Sequence, residues 1–144
     1  MNIFKDIKKA IVFGLALFCL ALAFQSPSYA AGLKGNWQLE SLGGAPVLEK
    51  TQITAEFEND FHGSIRGSAG CNRYSARFTA NSGRITVGSN ISATRMLCSP
   101  ESRMQQESKY FDALQSATSY DVSDQNLKLT YGSDKKLLEY VKAE

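Results

Sequence analysis

Apolar and polar positions alternate with a period of two along most of the chain. Trp37 and Leu39 alternate with Gln38 and Glu40, and Gly43-Gly44-Ala45-Pro46 then breaks the run, so Asn36 to Leu42 is expected to be a half-buried strand. Ile53, Ala55 and Phe57 set against Thr54, Glu56 and Glu58 give a second strand, ended by the turn signal Asn59-Asp60. A third, His62 to Gly67, is centred on Ile65 and runs straight into Gly67-Ser68-Ala69-Gly70-Cys71-Asn72-Arg73-Tyr74. Tyr74, Ala76 and Phe78 mark a fourth, and Asn81-Ser82-Gly83 can reverse it into Ile85 and Val87 as a hairpin. Gly88-Ser89-Asn90 reads as a further reversal, into a sixth strand with Ile91, Ala93, Arg95 and Leu97 on one face.

The period changes after Cys98. Ser99-Pro100-Glu101 supplies a capping oxygen, a proline suited to the first helical position and an acid for the first turn. At 100° per residue Met104, Tyr110, Phe111 and Leu114 then form one apolar stripe. Glu107 falls in the middle of it. A carboxylate on a buried face is costly unless paired, so a partner is expected, with Arg73 or Arg95 leading. Beyond Ala117 the period returns to two, through Tyr120 and Val122, then Leu127, Leu129 and Tyr131, then Leu138 and Tyr140. These elements predict one β-rich α+β domain over residues 31–144, about nine strands with one helix between the sixth and seventh.

Residues 1–30 stand apart as a secretory leader. Lys5, Lys8 and Lys9 outweigh Asp6 ahead of the apolar run Ala10 to Phe24, which falls short of the roughly 20 residues that cross a bilayer. Pro27 breaks the run, and Ser28-Tyr29-Ala30 offers small residues three and one before a cut, so cleavage is expected after Ala30, giving a periplasmic or secreted chain with no stable membrane span. An uncleaved anchor is the competing reading. A lipoprotein is not, because Cys19 lies inside the apolar run behind the bulky Phe18.

Removing the leader changes the charge picture. Without Lys5, Lys8, Lys9 and Asp6, thirteen Lys plus Arg face thirteen Asp plus Glu. A balanced chain with no basic block gives no electrostatic basis for nucleic-acid binding.

Two cysteines remain, Cys71 and Cys98, and an even pair in an exported chain reads first as a disulfide. There is a geometric objection. If Tyr74 to Leu97 forms a flat three-strand meander, the two cysteines end about 20 Å or more apart, whereas a bridge needs alpha carbons about 5–6 Å apart. Either the sheet curls strongly and the turn folds back, or the bridge does not form.

Other chemistry is weaker. A thiol enzyme using Cys71 needs a base, and His62, the lone histidine, carries no matching motif. One histidine and two distant cysteines lack the spacing of a zinc site, and no Lys-Ser or Lys-Thr follows the glycines at P-loop spacing. No cofactor is implied. Asn72 and Arg73 suit a structural polar node with Arg95 and Glu107, and a recognition site is the alternative. Trp37 and the strand aromatics read as core. Asn90-Ile91-Ser92 fits a glycosylation acceptor, a chance match behind a bacterial-looking leader.

Gly35-Asn36-Trp37, Gly67 through Tyr74, Thr94-Arg95-Met96-Leu97-Cys98, Glu107 before Tyr110 and Leu114, and Leu127-Lys128-Leu129 together make the chain from residue 31 onward resemble the META domain, in its HslJ-like, heat-inducible bacterial branch. The resemblance implies a compact cracked barrel with one helix and an association with envelope stress or secretion. It implies no catalytic residue. Several relatives are lipid-anchored, which the absence of a lipidation cysteine does not carry over to this chain. The function expected is therefore non-enzymatic: support of envelope integrity or stress tolerance through contacts with an envelope protein. A binding module for a lipid or other apolar envelope ligand is the alternative, and a thiol-dependent enzyme the weakest.

Overall fold

The computed structural model describes residues 32–144, so the leader expected over residues 1–30 lies outside the described residues. Ten strands and one helix follow in chain order: β1 (Gly35–Leu42), β2 (Ala45–Pro46), β3 (Thr54–Phe57), β4 (His62–Ser68), β5 (Arg73–Asn81), β6 (Arg84–Val87), β7 (Ser92–Ala93), α1 (Glu101–Gln115), β8 (Ala117–Val122), β9 (Asn126–Tyr131) and β10 (Lys136–Lys142). Every pairing is antiparallel, and β10 returns to β1 through five residue pairs. Eight strands thus close into a barrel, with β2 folded onto the end of β1 and β7 lying against β5.

Alternation along each strand sorts side chains to the two sides of the wall. On β5, Tyr74, Ala76, Phe78 and Ala80 are buried while Arg73, Arg77, Thr79 and Asn81 face solvent. The interior of an eight-stranded barrel is just wide enough for side chains to fill. Here Trp37, Phe57, Phe78, Leu129, Leu138 and Tyr140 fill it, with Ala55 and Ala76 making room between them. Phe57 meets Phe78 edge to face at 5.1 Å between ring centres. One barrel end is covered by the chain entering β1, where buried Leu33 offers its carbonyl to the Trp37 indole N–H at 2.8 Å.

The other end belongs to α1. All four connections at that end touch it: Gln106 bonds Leu48 and Thr51, Glu107 bonds Asn72, Gln115 bonds Ser89, and Ser116 at the helix terminus accepts from the Gly132 N–H. The buried face runs through Gln106, Glu107, Tyr110, Ala113 and Leu114. It is rotated from the expected stripe, leaving Met104 and Phe111 half-buried. The first turn also differs from expectation: Pro100 is the capping residue itself, and no side chain caps the helix.

The expected sixth strand is the main correction. Gly88-Ser89-Asn90 does not reverse the chain. The Gly88 N–H bonds Arg77, Ser92 then pairs with Ser75, and Ala93 with Tyr74, so β7 continues along β5 in the direction of β6. Phe78 pairs with Val87 and Tyr74 with Ala93, so the five residues Tyr74 to Phe78 face the seven from Val87 to Ala93. The surplus is a bulge, and glycine with two turn-forming residues suits a bulge as well as a reversal.

Candidate functional site

The Gly67–Tyr74 stretch is the turn between β4 and β5, at the helix end of the barrel. Gly67 has no room for a side chain, since a Cβ there would lie 2.0 Å from the Thr54 carbonyl oxygen. Gly70 has φ of +94°, which glycine adopts freely. The Ala69 N–H closes the turn onto the Asn72 carbonyl at 2.8 Å.

Asn72 is the hub of the site. Its backbone N–H and its side-chain Nδ2 donate to the two oxygens of Glu107 at 2.6 and 2.7 Å. Its Oδ1 accepts from the Thr94 hydroxyl and the Met96 N–H at 2.8 and 2.7 Å. The amide orientation follows from these partners, because a carboxylate requires a donor and a backbone N–H an acceptor. One asparagine therefore joins the β4–β5 turn, the helix and the Thr94–Cys98 segment. Among the described residues no buried side-chain nitrogen or oxygen lacks a partner.

Glu107 does need a partner, but not a cation. Arg73 and Arg95, expected to pair with it, do not: both are exposed, and no arginine nitrogen comes within 4 Å of a carboxylate among the described residues. Two N–H groups of Asn72 satisfy the carboxylate at smaller desolvation cost than a guanidinium buried beside it. Arg73 joins the node only through its backbone, exchanging bonds with Thr94 at 3.1 and 3.0 Å.

Cys71 and Cys98 are joined, with alpha carbons 5.8 Å apart. The continuation of β7 along β5 dissolves the geometric objection, since a chain that pairs Ala93 with Tyr74 arrives at Cys71 within a few residues. His62 begins β4, at the opposite end of that strand from the turn.

A buried tyrosine chain lies beneath the node, unsuspected from the sequence. Tyr74 donates to the Thr54 carbonyl at 3.0 Å, so Tyr110 donates to Tyr74 at 2.7 Å and Tyr140 to Tyr110 at 3.2 Å. Each hydroxyl has one proton and each is used. Burial holds all three phenols well above the ordinary tyrosine range. Tyrosine rather than phenylalanine at three core positions was the available signal, but the meeting of two strands and a helix is a tertiary fact.

The META domain model matches residues 31–144. The chain belongs to the META domain family. Two solved structures share its fold, each with a TM-score of 0.59. One, described only as the NMR structure of a protein, is 25% identical and matches over 77% of this chain and 91% of its own. The other, an NMR structure of a protein from Burkholderia xenovorans, is 21% identical over 76% of this chain and 82% of its own. No curated protein matches. Among the described residues of this META domain, no helix is long and apolar enough to cross a membrane.

Proposed function

We propose that this META domain is a non-enzymatic protein of the periplasm that supports envelope integrity under stress through protein contacts, made by the Met96–Leu97 segment. The observation that carries this reading is the exposure of those two side chains, 56% for Met96 and 89% for Leu97. Both are held out on a segment fixed by Asn72 at Met96 and by the disulfide at Cys98. An apolar pair on a fixed segment loses little freedom when a partner covers it, so more of its burial appears as affinity. The disulfide fits export into an oxidising compartment.

An apolar ligand inside the barrel would have to displace Trp37, Phe57, Phe78 and Tyr140 from a filled interior. A thiol mechanism would first require the bridge at Cys71 to be reduced. Neither alternative has an observation in its favour.

The test places a photoreactive residue at Leu97 and, separately, at Lys128 on another wall. A discrete protein adduct at 97 but not at 128, lost together with stress tolerance in a Leu97→Asp strain, supports the proposal. A Leu97→Asp strain with full tolerance refutes it. Amino-terminal sequencing of the exported protein checks cleavage after Ala30.

A further inference from the structure

The neutral total hides a sharp division of charge. From Phe61 to Pro100 the chain holds five arginines and no Asp, Glu or Lys, and the acids that follow the leader fall within residues 40–60 and 101–144. That acid-free stretch builds β4, β5, β6 and β7, which are neighbours in the barrel wall. Ser68 pairs with Arg73, Ser75 with Arg66, and Ser64 with Arg77. The arginines therefore alternate between two strands, each opposite a serine, with diagonal neighbours about 7–8 Å apart.

All three are exposed. Glu56 on β3 stands directly opposite Arg66, and Glu58 follows the end of β3 beside the row, but neither carboxylate comes within 4 Å of an arginine nitrogen. The Glu58 carboxylate accepts instead from the Ser64 N–H and hydroxyl at 3.2 and 2.9 Å. The one ion pair among the described residues, Lys128 with Glu139, is formed elsewhere. Toward the helix end, Arg66, Ser68 and Arg73 line an open groove of about 580 Å³, whose lining also carries Glu56 and Glu144. At the other end of the row stands Phe61, 67% exposed, its backbone carbonyl fixed by the Ala80 N–H at 2.6 Å.

We propose that this wall docks on an anionic lipid surface, with Arg66, Arg73 and Arg77 binding headgroup phosphates and Phe61 entering the interfacial layer. Arginine, with its planar fork of donors, binds phosphate oxygens in pairs and sheds water more readily than lysine. A row of cations beside an exposed aromatic ring matches the layering of a bilayer interface, charged outside and apolar beneath. A single-stranded nucleic acid would call for aromatic platforms between the cations, and the positions paired with these arginines are serines, buried at Ser64 and half-buried at Ser68 and Ser75. Attraction here comes from one face of a neutral protein, so it should fall steeply with salt.

Residues 31–144, which hold the whole barrel and its core, are tested by co-sedimentation with phosphatidylcholine vesicles with and without phosphatidylglycerol. The wild type is expected to bind only the anionic vesicles. Arg66→Gln, Arg73→Gln and Arg77→Gln together should weaken binding about 100-fold, at roughly fivefold each. Phe61→Ser should weaken it about tenfold, and Leu97→Asp should leave it unchanged, separating this face from the protein-contact segment. Should the triple variant melt below the wild type, the single arginine variants carry the test. Equal binding to neutral vesicles, or full binding by the arginine variants, overturns the proposal. So does a Phe61→Ser protein that binds as the wild type while inorganic phosphate or DNA competes, which would mark a face for soluble anions.

Discussion

Replacing Glu107 with glutamine tests whether the Asn72 node holds the domain together. The wild-type carboxylate accepts two N–H groups of Asn72 at 2.6 and 2.7 Å with only 9% of the residue exposed. Glutamine keeps the volume but presents one oxygen and one NH2, so a donor faces a donor at one of the two contacts. The loss of one charge-assisted bond, about 1.5–3 kcal/mol, is joined by a buried unpaired donor at about 1–3 kcal/mol, and partial relaxation brings the sum to about 2–4 kcal/mol. For a domain of this size that corresponds to a fall in melting temperature of roughly 8–20 °C. Differential scanning calorimetry and urea unfolding of Glu107→Gln measure it, and a cycle with Asn72→Ala isolates the coupling. A melting temperature within about 1 °C of wild type, together with altered partner capture, would refute the structural role and make the node a recognition site.

Three further outcomes follow from the same geometry. Cys71→Ser with Cys98→Ser should cost about 3.5 kcal/mol in the chain-entropy account of a bridge spanning 27 residues of sequence, measured by urea unfolding; a loss below about 0.5 kcal/mol would show the segment is held by Asn72 alone. Gly67→Ala should leave little folded protein by circular dichroism, because backbone rather than a flexible side chain occupies the Cβ position. The native pKa values of Tyr74, Tyr110 and Tyr140 lie above those of the unfolded chain, so stability is full below about pH 10 and is lost as pH rises, by up to about 4 kcal/mol per pH unit for three groups. Ultraviolet titration should show these phenols ionising only as the protein unfolds, and free titration of all the tyrosines in the folded state would contradict the buried chain.

The barrel strands were legible because each has one wet and one dry side, which writes a period of two into residues such as Tyr74, Ala76 and Phe78. The sixth strand was not, because Gly88-Ser89-Asn90 has the composition of a reversal and of a bulge. Only the partner strand decides between them, and pairing of Ala93 with Tyr74 is invisible in local sequence. The need of Glu107 for a partner was readable from its place among apolar helix positions. Its identity was not, since charge suggests an arginine whereas burial favours an amide and a backbone N–H. The tyrosine chain stayed hidden because each residue passes locally for an ordinary core aromatic.

The node ties down the excursion that lies between the two most sparsely paired neighbours in the barrel wall, β6 and β8. β10 and β1 share five residue pairs, whereas β6 and β8 share one, Arg84 with Ser119, supported by the Tyr120 N–H on the Gly83 carbonyl at 2.8 Å. That seam is also where the chain departs for β7, the clamped segment and α1, so closing it requires ordering the longest excursion in the fold. The disulfide ties the middle of the excursion to the β4–β5 turn, and Asn72 ties its helix to the same turn. The Tyr110 hydroxyl then joins the helix to β5 on one side and β10 on the other. Loss of either tie should therefore appear first as faster exchange of the Tyr120 amide, whose N–H crosses that seam, with the β1–β10 closure still protected.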